Sequence, residues 1–275
     1  MIKKILVAVD FSDASFNAAN YAASLANIFN AELVLVHAYI NPMAIDQLRA
    51  ELAGQLDKEL SQVLEEFMKE NVEILEKKYT IKIDSFVREG AASTVLEECT
   101  REVNANLVVM GMKGKGKSNS LFGSTTLTHI RKSGVPVLVI PEQATFKSIE
   151  TITLASDFDE ETGMGNYDLL KTIADKTKAY VQILNVRKKN LELSPSEIAG
   201  KLNTSFAFNE INHKFYTVED DEVDDGIEDF LEDNPSDMLV MLSRRHNFFT
   251  RVFGTIHTRK MIYETEIPLL VLQDK

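Results

Sequence analysis

The chain has 275 residues, with 30 Lys and Arg against 42 Asp and Glu, for a formal charge of -12. That balance repels nucleic acid and anionic lipid over most of the surface, so neither is expected as a main partner. Cys99 is the only cysteine, which excludes an intrachain disulfide and a cysteine-built zinc site. No apolar run is long enough to cross a bilayer as a helix, and Asp10 stops the run after Lys3 and Lys4 too early for a signal-peptide core. A cytoplasmic location with no membrane partner is expected.

Ile5 to Val9 is a continuous apolar run ending in polar residues, the pattern of a strand buried on both faces of a parallel sheet. Ser12 is placed to cap the helix that follows; Ala19, Ala22, Ala26 and Phe29 mark its inner side, and Asn30 closes it. Glu32 to Val36 reads as the second strand, and Asn41 with Pro42 breaks the chain. A long amphipathic helix follows, with Leu48, Leu52, Leu56, Leu60, Val63 and Phe67 at three- and four-residue steps. That row is either the face that packs on the sheet, which is the expectation, or a seam between two chains. Ile81 to Val87 reads as a third strand, Ala92 to Val103 as a helix, and Leu107 to Met110 as a fourth strand ending at Gly111. A helix at Ser124–Lys132 and a strand at Val137–Ile140 complete the unit.

The plan then repeats. Ile2 to Ser12 returns as Ile149 to Asp159, each with an apolar strand running into Asp-Phe. Phe122-Gly123-Ser124 before Val135-Pro136-Val137 answers to Phe253-Gly254-Thr255 before Ile267-Pro268-Leu269. Strands are expected at Thr151–Ala155, Val181–Asn185, His213–Val218, Met238–Leu242 and Leu269–Leu272. Strands alternating with helices indicate α/β units with mainly parallel sheets, here two domains, 1–145 and 146–275, joined by a linker from Pro141 to Lys147. The apolar edge of each final strand needs covering, and pairing the two edges antiparallel would make a pseudo-dimer within one chain. The carboxylate-rich stretch Glu219–Asp233 reads as a solvated helix face, with Ile227, Phe230 and Leu231 turned inward, rather than as a metal or partner site.

The segment richest in chemistry runs from Met110 to Thr126. Gly111, Gly114 and Gly116 allow backbone amides to face a bound group, and Gly123-Ser124-Thr125-Thr126 opens a helix whose free N–H groups favour an anion. Lys113, Lys115 and Lys117 add positive charge. Together these suit a polyphosphate; a flexible crossover with an ordinary helix cap is the other reading. The five histidines include no pair at metal-ligand spacing beside a third ligand, and no nucleophile elbow or phosphate-binding P-loop is present.

This segment resembles the nucleotide loop of the universal stress protein family. Asp10 at a strand end, Gly90 after the third strand and the final Pro136-Val137-Leu138-Val139 agree with it. The resemblance extends over the chain as two tandem copies. It implies an α/β fold with two tandem open, mainly parallel five-stranded sheets of order 3-2-1-4-5 and helices on both faces. It implies ATP, with magnesium as a candidate companion, above strands 1 and 4. Asp10 would approach the adenine and ribose, Val36 and His37 would border the base, and Met110 and Gly111 would lie at the ribose. Gly114, Gly123, Ser124, Thr125 and Thr126 would surround the phosphates. Eight residues separate Gly114 from Gly123 here, one fewer than the family spacing.

The second copy keeps only Gly254 of that loop and carries Arg244, Arg245, Phe248, Phe249 and Phe253 instead, which suggests a packed loop. Nucleotide binding is therefore expected of the first copy. The expected role is a nucleotide-dependent stress-response or signalling module, not an efficient enzyme, read out by an unidentified protein partner or by a homodimer. Two readings stand beside it: an interaction module that binds no nucleotide, and a weak ATP hydrolase in which Asp10 or His37 positions water.

Overall fold

A computed structural model describes residues 1–41, 50–112, 124–158, 167–189, 191–243 and 266–273. The first half runs β1 (Lys4–Ala8), α1 (Asp13–Phe29), β2 (Glu32–Tyr39), α2 (Ala50–Lys78), β3 (Ile83–Glu89), α3 (Ala92–Glu102), β4 (Leu107–Met112), α4 (Ser124–Lys132) and β5 (Val137–Pro141). The second runs β6 (Thr151–Ala155), α5 (Asp168–Thr177), β7 (Tyr180–Arg187), α6 (Pro195–Ala207), β8 (His213–Glu219), α7 (Val223–Asp233), β9 (Met238–Ser243) and β10 (Leu269–Gln273).

The strands form one sheet in the order β3-β2-β1-β4-β5-β10-β9-β6-β7-β8. Each half is parallel throughout and has the order 3-2-1-4-5; the halves meet where β5 and β10 pair antiparallel, with Leu138 opposite Leu270 and Val137 opposite Val271. The two five-stranded sheets are thus continuous. Their last strands, apolar on both faces, leave neither edge bare, which removes a ready template for pairing with another molecule. β2 reaches Tyr39, beyond the expected Val36, because its parallel pairing with β3 continues to Tyr39 opposite Glu89. β7 extends to Arg187 for the same reason, opposite Glu219 of β8.

Alternation along the strands divides the core into two layers. Ile5, Val7, Leu33 and Leu35 pack on one face against Ala18, Ala22 and Ala26 of α1 and Met68 and Leu75 of α2. Leu6, Val34, Val36 and Val108 face the other way, toward Val95, Leu96 and Cys99 of α3 and Ile130 of α4. The second half uses the same faces: α5 and α6 residues join the first layer, and Ile227, Phe230 and Leu231 of α7 join the second. Small alanines on α1 let its axis lie close to the strands. Ser12 accepts from the Ser15 amide at its start, and Asn30 ends it in the left-handed region at φ 52°.

The expected inner row of α2 needs correcting at Val63 and Phe67, which are 47% and 51% exposed; Leu60 is part-buried, and Leu48 and the side chains of Leu52 and Leu56 lie outside the described residues. The side facing the sheet is built instead on Met68 and Leu75, with Val72 packed against them. The segment joining the halves is held down as well. Asn17 Nδ2 donates to the carbonyls of Pro141 and Ala144 at 3.2 and 2.9 Å, and Phe146 meets Tyr21 edge-on at 4.9 Å. Among the described residues no helix is long and apolar enough to cross a membrane, and no three His, Cys, Asp or Glu side chains cluster as metal ligands.

Candidate functional site

β1 and β4 are neighbours at the centre of the first half, and the chain leaves them in opposite directions: β1 leads to α1 on one face, β4 to α4 on the other. Divergent connections open a crevice beyond the strand ends, the usual ligand position in open α/β sheets. The turn from β1 into α1 forms one wall. Val9 donates its amide to the Val36 carbonyl at 2.9 Å. Phe11 then takes φ 59°, which turns the chain sharply toward α1. The Asp10 carboxylate receives the Ser12 amide at 3.1 Å and the Ser12 hydroxyl, while the Asp10 amide donates to Ser15 Oγ at 3.2 Å. Asp10 itself remains exposed at the mouth.

His37 sits beside this turn at the end of β2. Its Nδ1 lies 2.8 Å from the Val9 carbonyl oxygen. A carbonyl can only accept, so Nδ1 carries a proton and donates it to Val9. The Phe11 ring lies 4.4 Å from the imidazole, tilted by 33°, and Phe67 of α2 lies 5.9 Å from Phe11. The aromatic cluster His37–Phe11–Phe67 therefore lines the β2 side of the mouth. The sequence reading did not single out Phe11 or Phe67 as site residues. The recurrence of Phe after the strand-end Asp, at Phe11 and Phe158, was the signal available.

The remaining expected site residues fall into three groups. The side chains of Val36 and Met110 are buried in the α3 layer, so only their backbones can reach the crevice, and Thr126 of α4 is buried too. Gly111 is at the crevice floor, and its lack of a side chain has a packing cause. A Cβ there would stand 2.6 Å from the Ala14 carbonyl oxygen and 2.8 Å from its carbon, so the glycine admits the first turn of α1. Gly114 and Gly123 lie outside the described residues, and Ser124 and Thr125 are described only as the helical backbone opening α4. Gly90 adopts φ 145° at the end of β3, with its amide donating to the Tyr39 carbonyl at 2.8 Å. A Cβ there would press on Val95.

The second half repeats the frame with a different filling. Ser156 donates to the Leu184 carbonyl at 2.8 Å, and Asn185 Nδ2 donates to the Ser156 carbonyl at 2.9 Å, matching the bond from His37 to Val9. Phe158 takes φ 53°, as Phe11 does. Yet Phe158 is only 2% exposed and belongs to the core, 5.8 Å from Phe215, whereas Phe11 is part-exposed. Tyr167 and Phe208 pack 5.2 Å apart in the same layer, and Lys201 lies over the Phe158 and Phe215 rings.

A frame repeated around the β1/β4 and β6/β9 switch points, once lined by polar and aromatic groups and once packed with phenylalanine, defines a doubly wound α/β protein built as a tandem repeat. The universal stress protein family model matches residues 1–141, and the chain belongs to that family. A universal stress protein of Methanocaldococcus jannaschii is 30% identical over 142 residues, 51% of this chain and 82% of that protein. One from Synechocystis is 32% identical over 144 residues, 51% of this chain and 87% of that one. The fold likeness extends through both halves. The crystal structure of a universal stress protein from Archaeoglobus fulgidus superposes with a TM-score of 0.71 at 16% identity, covering 98% of this chain and 96% of that one.

Proposed function

We propose that the first half, residues 1–145, binds ATP and holds it rather than turning it over, acting as a nucleotide-dependent module in a cytoplasmic stress response. Residues 146–275 form a second domain of the same build that supports the first and binds no nucleotide. The observation that carries this reading is an exposed Asp10 and a part-exposed aromatic wall at the β1/β4 switch point, in a chain whose sequence between β4 and the start of α4 is rich in glycine and lysine. Phosphates would lie on the β4–α4 side, where the helix start offers free N–H groups. With no three-ligand acidic cluster among the described residues, an accompanying magnesium ion would be held chiefly by phosphate oxygens and water.

The test is mass spectrometry of small molecules released on denaturing protein purified without added nucleotide, paired with calorimetry using Mg-ATP. About one ATP or ADP per chain, lost in Gly114→Asp, supports the reading. An empty protein that takes up no Mg-ATP ends it. A second reading, a partner-binding module without nucleotide, draws on the exposed Ile198, Leu202 and Phe206 stripe on α6 and gains if the calorimetry is blank.

A further inference from the structure

We infer that His129 latches α4 in place, and that a proton on this histidine and a phosphate-bearing ligand at the start of the same helix oppose one another. The inference rests on the reading above that the first half holds a nucleotide with its phosphates at that helix start, and adds a regulation of that site.

α4 is only nine residues long. Among its described side chains Thr126, His129 and Ile130 are buried, and they tie it to the layer it shares with α3. The imidazole is 2% exposed, and its Nε2 is buried with no hydrogen-bond partner among the described residues. A neutral ring tolerates that at modest cost; a cation in the same place would be buried unpaired, which costs far more. Burial accordingly holds the imidazole below its ordinary value, with Glu97 of α3 pulling it part of the way back. The observed seat of α4 therefore goes with an uncharged His129.

A charged ring has a second place to go. His129 borders a cavity of about 560 Å³ at the ends of α3 and α4, closed below by Asn106 before β4 and Val135 before β5, away from the crevice. Turned into this space, an imidazolium regains water and approaches the Glu97 carboxylate, in the last turn of α4 where the helix dipole favours a cation. Arg101 and Lys132 on the rim oppose it, but both are exposed, and Arg101 lies 3.7 Å from Glu97. β4 and β5 carry no titratable side chain that bears on the ring. Moving the ring out empties space in a close-packed layer, so α4 shifts to refill it and carries its first amides away from the phosphates. A bound phosphate resists that shift. Ligand and proton thus compete through one short helix, and the coupling is equal in both directions.

The experiment follows the His129 imidazole resonances by NMR in the full-length protein from about pH 8 to 5, without nucleotide and with saturating Mg-ATP. Calorimetric Mg-ATP affinities are measured over the same range in the parent and in His129→Gln, which keeps a polar side chain of similar size and does not titrate there. Expected is a midpoint for His129 lower by about half a pH unit or more with Mg-ATP, equivalent to a roughly threefold or greater loss of affinity on protonation. The parent should lose affinity on acidification by that factor beyond the loss seen in His129→Gln. A midpoint that Mg-ATP leaves unmoved or raises overturns the inference and leaves the nucleotide reading standing. So do identical affinity profiles in parent and variant, or a ring that stays neutral until the protein unfolds. If Mg-ATP fails to bind the parent even at pH 8, the inference and the reading beneath it fall together.

Discussion

Gly111→Ala tests whether the crevice floor is set by contact between β4 and α1. The added Cβ would sit 2.6 Å from the Ala14 oxygen, 2.8 Å from the Ala14 carbon and 3.1 Å from the Ser15 nitrogen. All three are backbone atoms at the start of a helix, so no side-chain rotation can relieve them; α1 must move away from β4. Overpacking of this kind costs about 1–3 kcal/mol, and the rigidity of the atoms concerned places this site at the upper end. For a protein of this size about 3 kcal/mol corresponds to a fall of roughly 6–12 °C in thermal midpoint. The same shift would carry the Asp10–Ser12–Ser15 hydrogen bonds with it. Gly134→Ala is the matched control, since a Cβ there meets nothing within 4 Å among the described residues. It should be neutral or raise stability by about 0.4–1 kcal/mol through the unfolded chain. Differential scanning calorimetry of both variants decides the matter. A Gly111→Ala midpoint within 1 °C of the Gly134→Ala value, a difference far below the roughly 6–12 °C worked out above, would show that α1 yields freely and refute the reasoning.

Other outcomes follow from the same geometry. Leu270→Asp places a carboxylate opposite Leu138 at the buried junction of the halves; it should cost about 3 kcal/mol or more and separate one unfolding transition into two. Ser12→Ala removes the acceptor for the Ser15 amide and should lower stability by about 1 kcal/mol in denaturant titration. Burial holds the His129 imidazole below its ordinary value, with Glu97 pulling it part of the way back. The unfolded chain then takes up a proton that the folded chain refuses, so this contribution is intact above about pH 6.5 and is lost as pH falls from there toward the lower folded value. His129→Gln should flatten that part of a stability-against-pH curve, measured as urea midpoints at neutral and mildly acid pH.

Strand identity was legible in the sequence because Ile5–Val9 and Leu107–Met110 are apolar without interruption, which only a strand covered on both faces requires. The internal repeat then made the second half readable from the first. The inner face of α2 was not legible. Val63 and Phe67 form one apolar row and Met68 and Leu75 another, both at helical spacing, and periodicity alone cannot choose between them. Packing on the sheet and the pull of Phe11 on Phe67 settle it. At the site, Val36 and His37 were both taken to border the base, although adjacent strand residues point to opposite faces. The structure puts Val36 in the α3 layer and His37 beside Phe11. The role of Gly111 was hidden for a different reason: it depends on how near α1 approaches, a tertiary distance that no local pattern encodes.

The seam between β5 and β10 has a consequence for how such a protein can respond. Two separate subunits joined along such an edge would fall apart on dilution, and their pairing would track their own abundance. Here the strap from Glu142 to Glu150, held against α1 through Asn17, keeps the partner edge at a local concentration on the order of millimolar, whatever the amount of protein present. The pairing of the two halves thus ceases to depend on concentration, and under the function proposed above the response rests on how fully the first-half crevice is occupied.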